Sequence, residues 1–346
     1  MAISVVGVDL SKSVFQLSIA DGKHHVFDRK RLSRAQFHRF LAQTEPTRLV
    51  MEACGTSHYW ARTAQSLDHE VKLLHANYVK AYVRRTKTDA ADADALVLAD
   101  SDKSLHPIPI KPEQLQALQS VHRIREQWKR ARVARICEAR ALLAEFGIST
   151  PAGVRGISKK LTLATEQAPM LIQPTLLDLI QEISELEQRL KRVDRALAAY
   201  AYTNPDVQTL LGIQGIGITI ATAFVARVSN IHTFKRGRSF ASWLGLTCRE
   251  YSSGQNRRLG RITRQGDRYL RTMLIHGARA ALMAARRKQA NGKELTRLET
   301  WAVNTQTRVG HNKATVALAN KMARIIWAVW TRHEAFNGDD ALRFAA

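Results

Sequence analysis

The sequence predicts a chain that is α/β over its first hundred residues and all-α beyond. Three observations carry this. Strand-like apolar runs alternate with helix signals up to about residue 100. From residue 113 the apolar spacing changes to threes and fours. Between the regimes lies Pro107-Ile108-Pro109-Ile110-Lys111-Pro112, read as a linker because three prolines cannot continue a helix. The 346 residues, 45% of them hydrophobic, suffice for two cored domains and a connecting element.

Residues 3–10, ISVVGVDL, read as a buried strand, and 13–20 and 24–29 as two more, joined at Asp21-Gly22-Lys23. Ser33 is placed to cap a helix over 34–43. A strand at 48–53, a helix at 57–67, a strand at 70–75 and a helix at 88–100 complete a βββαβαβα order, a mixed sheet flanked by helices. Residues 113–146 and 174–201 read as long helices, broken at 147–158. In the second, Leu176, Ile180, Ile183, Leu186, Leu190, Val193 and Leu197 form an apolar seam. The seam suits a hairpin packed on itself and a coiled-coil dimerisation or spacer element equally. From 207 onward the chain reads as helical with a basic loop in its middle, ending in an amphipathic helix at 313–333. The expected domains are 1–106, 107–203 and 204–346.

The formal net charge is +23, from 53 Lys and Arg against 30 Asp and Glu. Such an excess points to a polyanionic partner, since each cation near a phosphate releases condensed counterions. A membrane surface fits less well, for the cations form no terminal tail or isolated amphipathic helix. Cys54, Cys137 and Cys248 are odd in number and far apart, which argues against a disulfide framework or a zinc site. The start, MAISVVGVDLSKS, lacks the marks of a signal peptide, and no apolar run is long enough to span a bilayer. A cytoplasmic chain is expected, with no membrane partner.

Against this charge, four carboxylates stand out. Asp9 falls near the end of the first strand and Glu52 near the end of the fourth. Asp89 and Asp92 lie three apart on one helix face. If the first and fourth strands are central neighbours, the four can converge, and such a set needs a hard cation such as Mg²⁺ between its members. Asp94, on another side of the helix, is read as surface. Arg84, Arg85 and Lys87, just before Asp89, are placed to draw nucleic acid towards it.

In the second half, "LLGIQGIGITIATAFV" reads as a helix-hairpin-helix. Gly215 and Gly217 would let backbone approach closely, and the next helix would offer its amides to a phosphate. Residues 227–271 hold eleven Lys and Arg against Glu250 and Asp267. Lys235, Arg236, Arg249, Arg257, Arg258, Arg261, Arg264 and Arg268 are the expected phosphate contacts. The rings nearby, Phe234, Phe240, Trp243, Tyr251 and Tyr269, are expected to be mostly core.

Several phrases carry a family resemblance. "GVDLSK" around Asp9, "VMEACG" around Glu52 and "KTDAADADAL" around Asp89 and Asp92 resemble the DEDD domain of the IS-one-ten type of insertion-sequence transposase, to which the Piv invertase is related. "SFASWLGLTCREYSSGQNRRLGRITRQGDRYLRTMLIHGARA" and "NKATVALANKMARIIWAV" resemble that family's second domain, on the IS-eleven-eleven side. The resemblance implies a RuvC-like, RNase H-like first domain with Asp9, Glu52, Asp89 and Asp92 as catalytic metal ligands for Mg²⁺, with Mn²⁺ as a substitute. It implies a nucleophilic serine that matches Ser253, with Ser252 second. It further implies donor and target DNA, a structured non-coding guide (bridge) RNA, and a homo-oligomer, dimer or tetramer, working at the bacterial nucleoid and sharing its active sites between subunits. From the residues alone, "SSG" reads as a turn. A junction-resolving nuclease using metal-activated water and a non-catalytic nucleic-acid-binding protein remain alternative readings.

Overall fold

The computed structural model describes residues 3–83, 88–153 and 155–339. It divides into two compact units, residues 1–114 and 115–346.

The first unit is a five-stranded sheet in the order β3-β2-β1-β4-β5. Its strands are β1 (Val5–Leu10), β2 (Val14–Ala20), β3 (Val26–Ser33), β4 (Arg48–Glu52) and β5 (Glu70–Leu74). β1, β2 and β3 pair antiparallel, as hairpin connections allow, and β4 and β5 extend the sheet parallel to β1 through helical crossovers. Between β3 and β4 runs α1 (Arg34–Gln43), where Ser33 and Gln36 form the capping box that the serine suggested. Next come α2 (Ser57–Gln65), a short α3 (Ala76–Val79) with a 3₁₀ turn, and α4 (Asp89–Asp100).

Because side chains alternate across a strand, β1 and β4 serve two cores. Val6, Val8, Leu49 and Met51 face Phe15, Phe37 and Trp60, whose rings meet edge-on. Val5 and Val50 face Leu96 and Val97 of α4. Gly7 lies beneath α4, where any Cβ would collide with the Ala93 carbonyl. This close approach explains a glycine in the middle of a central strand.

The Pro107–Pro112 segment is no free linker. Ile108 donates its N–H to the Leu73 carbonyl at 2.7 Å, and Arg62 donates to the Lys111 carbonyl. Ile108 and Ile110 pack on the first core. Proline blocks a helix but not an edge pairing through the intervening residues.

The second unit begins with α5 (Glu113–Glu145), α6 (Ile157–Thr165) and α7 (Gln173–Thr203). α6 lies where the sequence reading had a break followed by unassigned chain. Its Ile157 and Leu161 are buried between Ile136, Ala139 and Leu143 of α5 and Leu176, Ile180 and Ile183 of α7. The ion pairs Arg125–Asp194, Arg132–Glu187 and Arg135–Glu182 descend one helix as they ascend the other. α5 and α7 are therefore an antiparallel hairpin, and the apolar seam is used inside the chain.

The rest comprises α8 (Pro205–Leu211), α9 (Ile218–Val228), α10 (Gly237–Trp243), β6 (Cys248–Glu250), β7 (Leu259–Ile262), α11 (Arg268–Ala290), α12 (Arg297–Val309) and α13 (His311–Arg332). Phe224, Phe240, Leu274, Leu282, Met322, Ile326 and Trp330 lie in its core. The basic loop expected in the middle is a β-hairpin, β6 paired antiparallel with β7. No described helix is long and apolar enough to cross a membrane.

Candidate active site and nucleic-acid interface

Two of the four carboxylates expected to form a site lie on neighbouring strands at one end of the sheet. β1 and β4 run parallel with Val8 opposite Met51, so the next rung sets Asp9 beside Glu52. Both follow the alternation of Val5 and Val50, which puts them on the face covered by α4. Both are half-buried.

The direction of α4 is set at its far end. Asp100 is buried there and accepts from Lys72 at 2.6 Å, His24 at 3.0 Å and Arg48 at 3.3 Å. Arg48 begins β4 and His24 sits in the β2–β3 turn, so the last turn of α4 lies over the start of β1 and β4. Its first turn must then lie over their ends. Ala93 sits above Gly7. Four residues back along the helix is about 6 Å, as is two residues on along the strand, which brings Asp89 level with Asp9. Asp89, Asp92, Ala93, Leu96, Val97 and Asp100 share one stripe of the helix, the stripe that faces the sheet. Thr88 caps the helix by accepting from the Ala91 N–H. Among the described residues, no three His, Cys, Asp or Glu side chains converge as a ready-made metal cluster.

Asp94 is not the solvated residue expected of it. It accepts a bidentate pair from Arg29 and a 2.6 Å hydrogen bond from Ser18, tying α4 to β2 and β3. Arg84, Arg85 and Lys87 lie outside the described residues.

Burial pushes the Asp100 carboxyl up, but hydrogen bonds from Lys72 and His24, with the charges of Lys72 and Arg48, outweigh it and hold the group below the usual range. An Asp100→Asn variant should lose about 2 kcal/mol of stability, read as an earlier urea transition, because Lys72, Arg48 and His24 lose their shared acceptor. An unchanged transition would mean that Asp100 does not anchor the helix.

In the second unit, the candidate serine sits at the tip of the β6–β7 hairpin. Ser253 and Asn256 exchange backbone hydrogen bonds of 3.1–3.2 Å around the two-residue turn Gly254-Gln255. Gly254 has φ +56°, the left-handed value such a turn asks of its first residue. Across the hairpin, the Tyr251 ring covers Gly260. The Ser252 hydroxyl is engaged twice, donating to Glu250 at 2.7 Å and accepting the Arg258 N–H at 3.1 Å. The Ser253 hydroxyl makes no side-chain hydrogen bond among the described residues, and its side chain is exposed. A Gly-containing two-residue turn between short alternating runs was the signal for this hairpin, masked by its many charges.

The base of the hairpin is tightly packed. Gly245 and Gly266, both at positive φ, let residues 243–245 and 264–266 touch backbone to backbone. The buried Arg271 donates to the Leu244 and Gln265 carbonyls, both at 2.9 Å. Asp267 caps α11 and is ion-paired with Arg227, whose guanidinium lies 5.0 Å from the centre of the Tyr269 ring. The Tyr269 hydroxyl meets His122 Nδ1, and His122 Nε2 meets Thr222.

Burial first, then the charges of Arg125 and Arg227, lower the His122 pKa from 6.5 to about 4. Above pH 6.5 the imidazole is neutral in both folded and unfolded chains and takes nothing from stability. As pH falls from 6.5 to about 4 the unfolded chain binds a proton that the folded one refuses. Stability should drop across that window by up to roughly 3 kcal/mol. Urea midpoints at neutral and acid pH should show a smaller drop in His122→Gln. Equal drops in the two proteins would assign the acid sensitivity elsewhere.

Lys235, Arg236, Arg249, Arg257, Arg258, Arg261, Arg264 and Arg268 are all exposed, and none forms an ion pair among the described residues. Phe240 is fully buried against Phe234 and Trp243, as expected of core rings, whereas Tyr251 is 59% exposed. Gly215, expected to admit a phosphate, instead meets Gly277 of α11, where a Cβ would lie 2.6 Å from its carbonyl oxygen. Gly217 is exposed at the start of α9 with nothing crowding it.

Acids at the end of a mixed sheet in one unit and an arginine-rich hairpin in the other suit a protein that handles phosphodiester backbones. The comparisons with known proteins specify the kind. Residues 207–293 match the model of the "Transposase IS116/IS110/IS902 family", and residues 6–148 match the transposase DEDD model of the IS110 type. A Pseudomonas aeruginosa protein described as "Probable family 20 transposase" is 40% identical over 97% of this chain and 99% of its own length. The transposase of element IS1111A from Coxiella burnetii is 34% identical over 96% and 91%, and that of IS1328 from Yersinia enterocolitica is 33% identical over 97% and 99%. The chain belongs to the IS116/IS110/IS902 family of insertion-sequence transposases, DNA-processing enzymes of transposition and recombination.

Proposed function

We propose that the chain is an RNA-guided, site-specific transposase in which Ser253 attacks a DNA phosphodiester and the DEDD carboxylates hold the divalent ions of the same reaction. The observation that carries the serine assignment is the Ser253 hydroxyl, without a side-chain hydrogen bond among the described residues, at the tip of a hairpin with a closely packed base that also carries Arg257 and Arg258. In the step proposed, a bond forms between Ser253 Oγ and phosphorus while the P–O3′ bond breaks. The electron pair leaves on O3′, which takes up a proton as the serine loses one. The products are a 5′-phosphoserine linkage and a free 3′-hydroxyl. The arginines of the hairpin hold the phosphate and balance its charge.

Asp9, Glu52, Asp89 and Asp92 suit a hard cation by donor chemistry, and an open set suits Mg²⁺, which keeps several waters and takes substrate phosphates as ligands. When bound, such an ion supplies Lewis-acid stabilisation of charge on phosphate oxygens. The arrangement of β1, β4 and α4 supports an RNase H-like reading of the first unit. Division of labour is assigned to residues 1–106 (metal), 107–203 (helical stem) and 204–346 (serine and nucleic acid). A homo-oligomer, donor and target DNA and a structured guide RNA follow from the family resemblance.

A second reading rests on the Glu250–Ser252 hydrogen bond. A carboxylate 2.7 Å from a hydroxyl is placed as a base would be, which makes Ser252 the nucleophile. Trapping tests both readings. The protein, incubated with element-end DNA and Mg²⁺, should yield a covalent adduct that phosphopeptide mapping places on Ser253. An adduct on Ser252 would select the second reading, and cleavage without any adduct would select metal-activated water.

A further inference from the structure

The second unit carries a basic cavity that the hairpin chemistry does not use. It has a volume of about 360 Å³ and is lined by Met283, Arg286, Arg287 and Ala290 of α11, Gln306 of α12 and His311 of α13. It opens broadly to solvent, as a site for a strand passing over the surface would. Its lining holds no carboxylate.

Basic residues in the last turn of a helix often do no more than offset its dipole. Lys288 has a structural task of a different kind, an ion pair of 2.8 Å with the buried Glu299. Arg287 lies in that last turn and offsets the dipole, whereas Arg286 lies before it, and neither has an acidic partner among the described residues. Both are exposed, and both line the cavity. Gln306 Nε2 lies 3.5 Å from His311 Nδ1 across it. α13 starts at this cavity with Gly310 as its cap, without a side-chain cap bond and without an acid in its first turn. Its first amides therefore add to the positive field.

We propose that this cavity seats a nucleic-acid backbone phosphate, a second anchor apart from the β6–β7 hairpin. Two unpaired guanidiniums can grip one phosphate bidentately, and the imidazole and amide can meet its remaining oxygens or the adjoining sugar. The proposal rests on the nucleic-acid reading above and extends it to a new contact. The strand can be DNA or RNA, for the phosphodiester is common to both.

The test uses the full chain, with labelled duplex DNA and a labelled RNA stem-loop titrated over a range of salt. Arg286→Gln with Arg287→Gln should lower the log–log salt slope by about 2 for the strand that occupies the cavity. Affinity for that strand should fall about tenfold or more at physiological salt. The other strand should be unaffected, which identifies the occupant. Arg286→Lys with Arg287→Lys should keep the slope, since the charge is retained. Arg257→Gln with Arg258→Gln serves as the parallel hairpin variant. If the hairpin variant loses affinity while the cavity variant keeps wild-type slopes for both strands, the cavity proposal fails and the nucleic-acid reading stands. A wild-type protein whose binding does not depend on salt overturns both.

Discussion

Asp89→Asn should abolish metal-dependent strand cleavage while leaving nucleic-acid binding near wild type. The change removes one charge and keeps the shape. Asp89 is exposed at the first position of α4, on the stripe that faces β1, so its loss opens no cavity and breaks no packing. Stability should therefore hardly move. A rate reduction of about 10³-fold or more is expected, equivalent to about 4 kcal/mol of transition-state stabilisation. Affinity should survive because the exposed cations in and around the β6–β7 hairpin are untouched. Single-turnover cleavage and equilibrium binding, measured on one preparation, separate the two effects. Full cleavage activity in the variant would remove Asp89 from the metal site. The contrast with Asp100→Asn is informative. That carboxylate lies at the opposite end of the same helix stripe, and its loss should cost stability first.

The serine substitutions carry the second large effect. Ser253→Ala should eliminate the covalent adduct and reduce strand transfer to background, with binding retained. Ser252→Ala should keep the adduct and loosen the hairpin, since it deletes a hydroxyl that fastens Glu250 and the Arg258 N–H. The reverse pattern would assign the attack to Ser252 with Glu250 as its base. Because the serine is exposed at a turn, neither variant threatens the fold. Adduct yield on a denaturing gel and strand-transfer products on the same DNA are the readouts.

Much of the first unit was legible in the sequence. Strands and helices there have clean periods, Ser33 caps where expected, and the neighbouring placement of Asp9 and Glu52 was readable because strands that pair in parallel align their ends. The interior glycine of β1 was legible as a strand residue, but its reason, the approach of Ala93, was not. Asp94 could be placed on a side of α4 but not opposite Arg29 and Ser18, which come from 65 and 76 residues away. The second unit was less legible. Its hairpin is short, exposed and crowded with arginines, so polarity outweighed the alternation. α6 follows a Gly- and Pro-rich break and draws its stability from α5 and α7 rather than from its own nine residues.

Local sequence sufficed for an inventory: a strongly basic chain, an α/β part followed by a helical part, four acids at element ends and a serine–glycine turn. Those depend on local period, turn chemistry and charge, all carried by neighbours in the chain. Which of these lie near one another is a matter of tertiary contact. The direction of α4 over the sheet, set by Asp100 and by Gly7, puts the first turn of that helix, which holds Asp89 and Asp92, at the end of the sheet where Asp9 and Glu52 lie. The hydrogen bonds across the hairpin occupy Ser252 and leave Ser253 unengaged, and the packing of Gly215 against Gly277 gives the space beside that glycine to a helix rather than a phosphate. Each is a contact between residues far apart in sequence, whose energy depends on distance and orientation that no local pattern specifies.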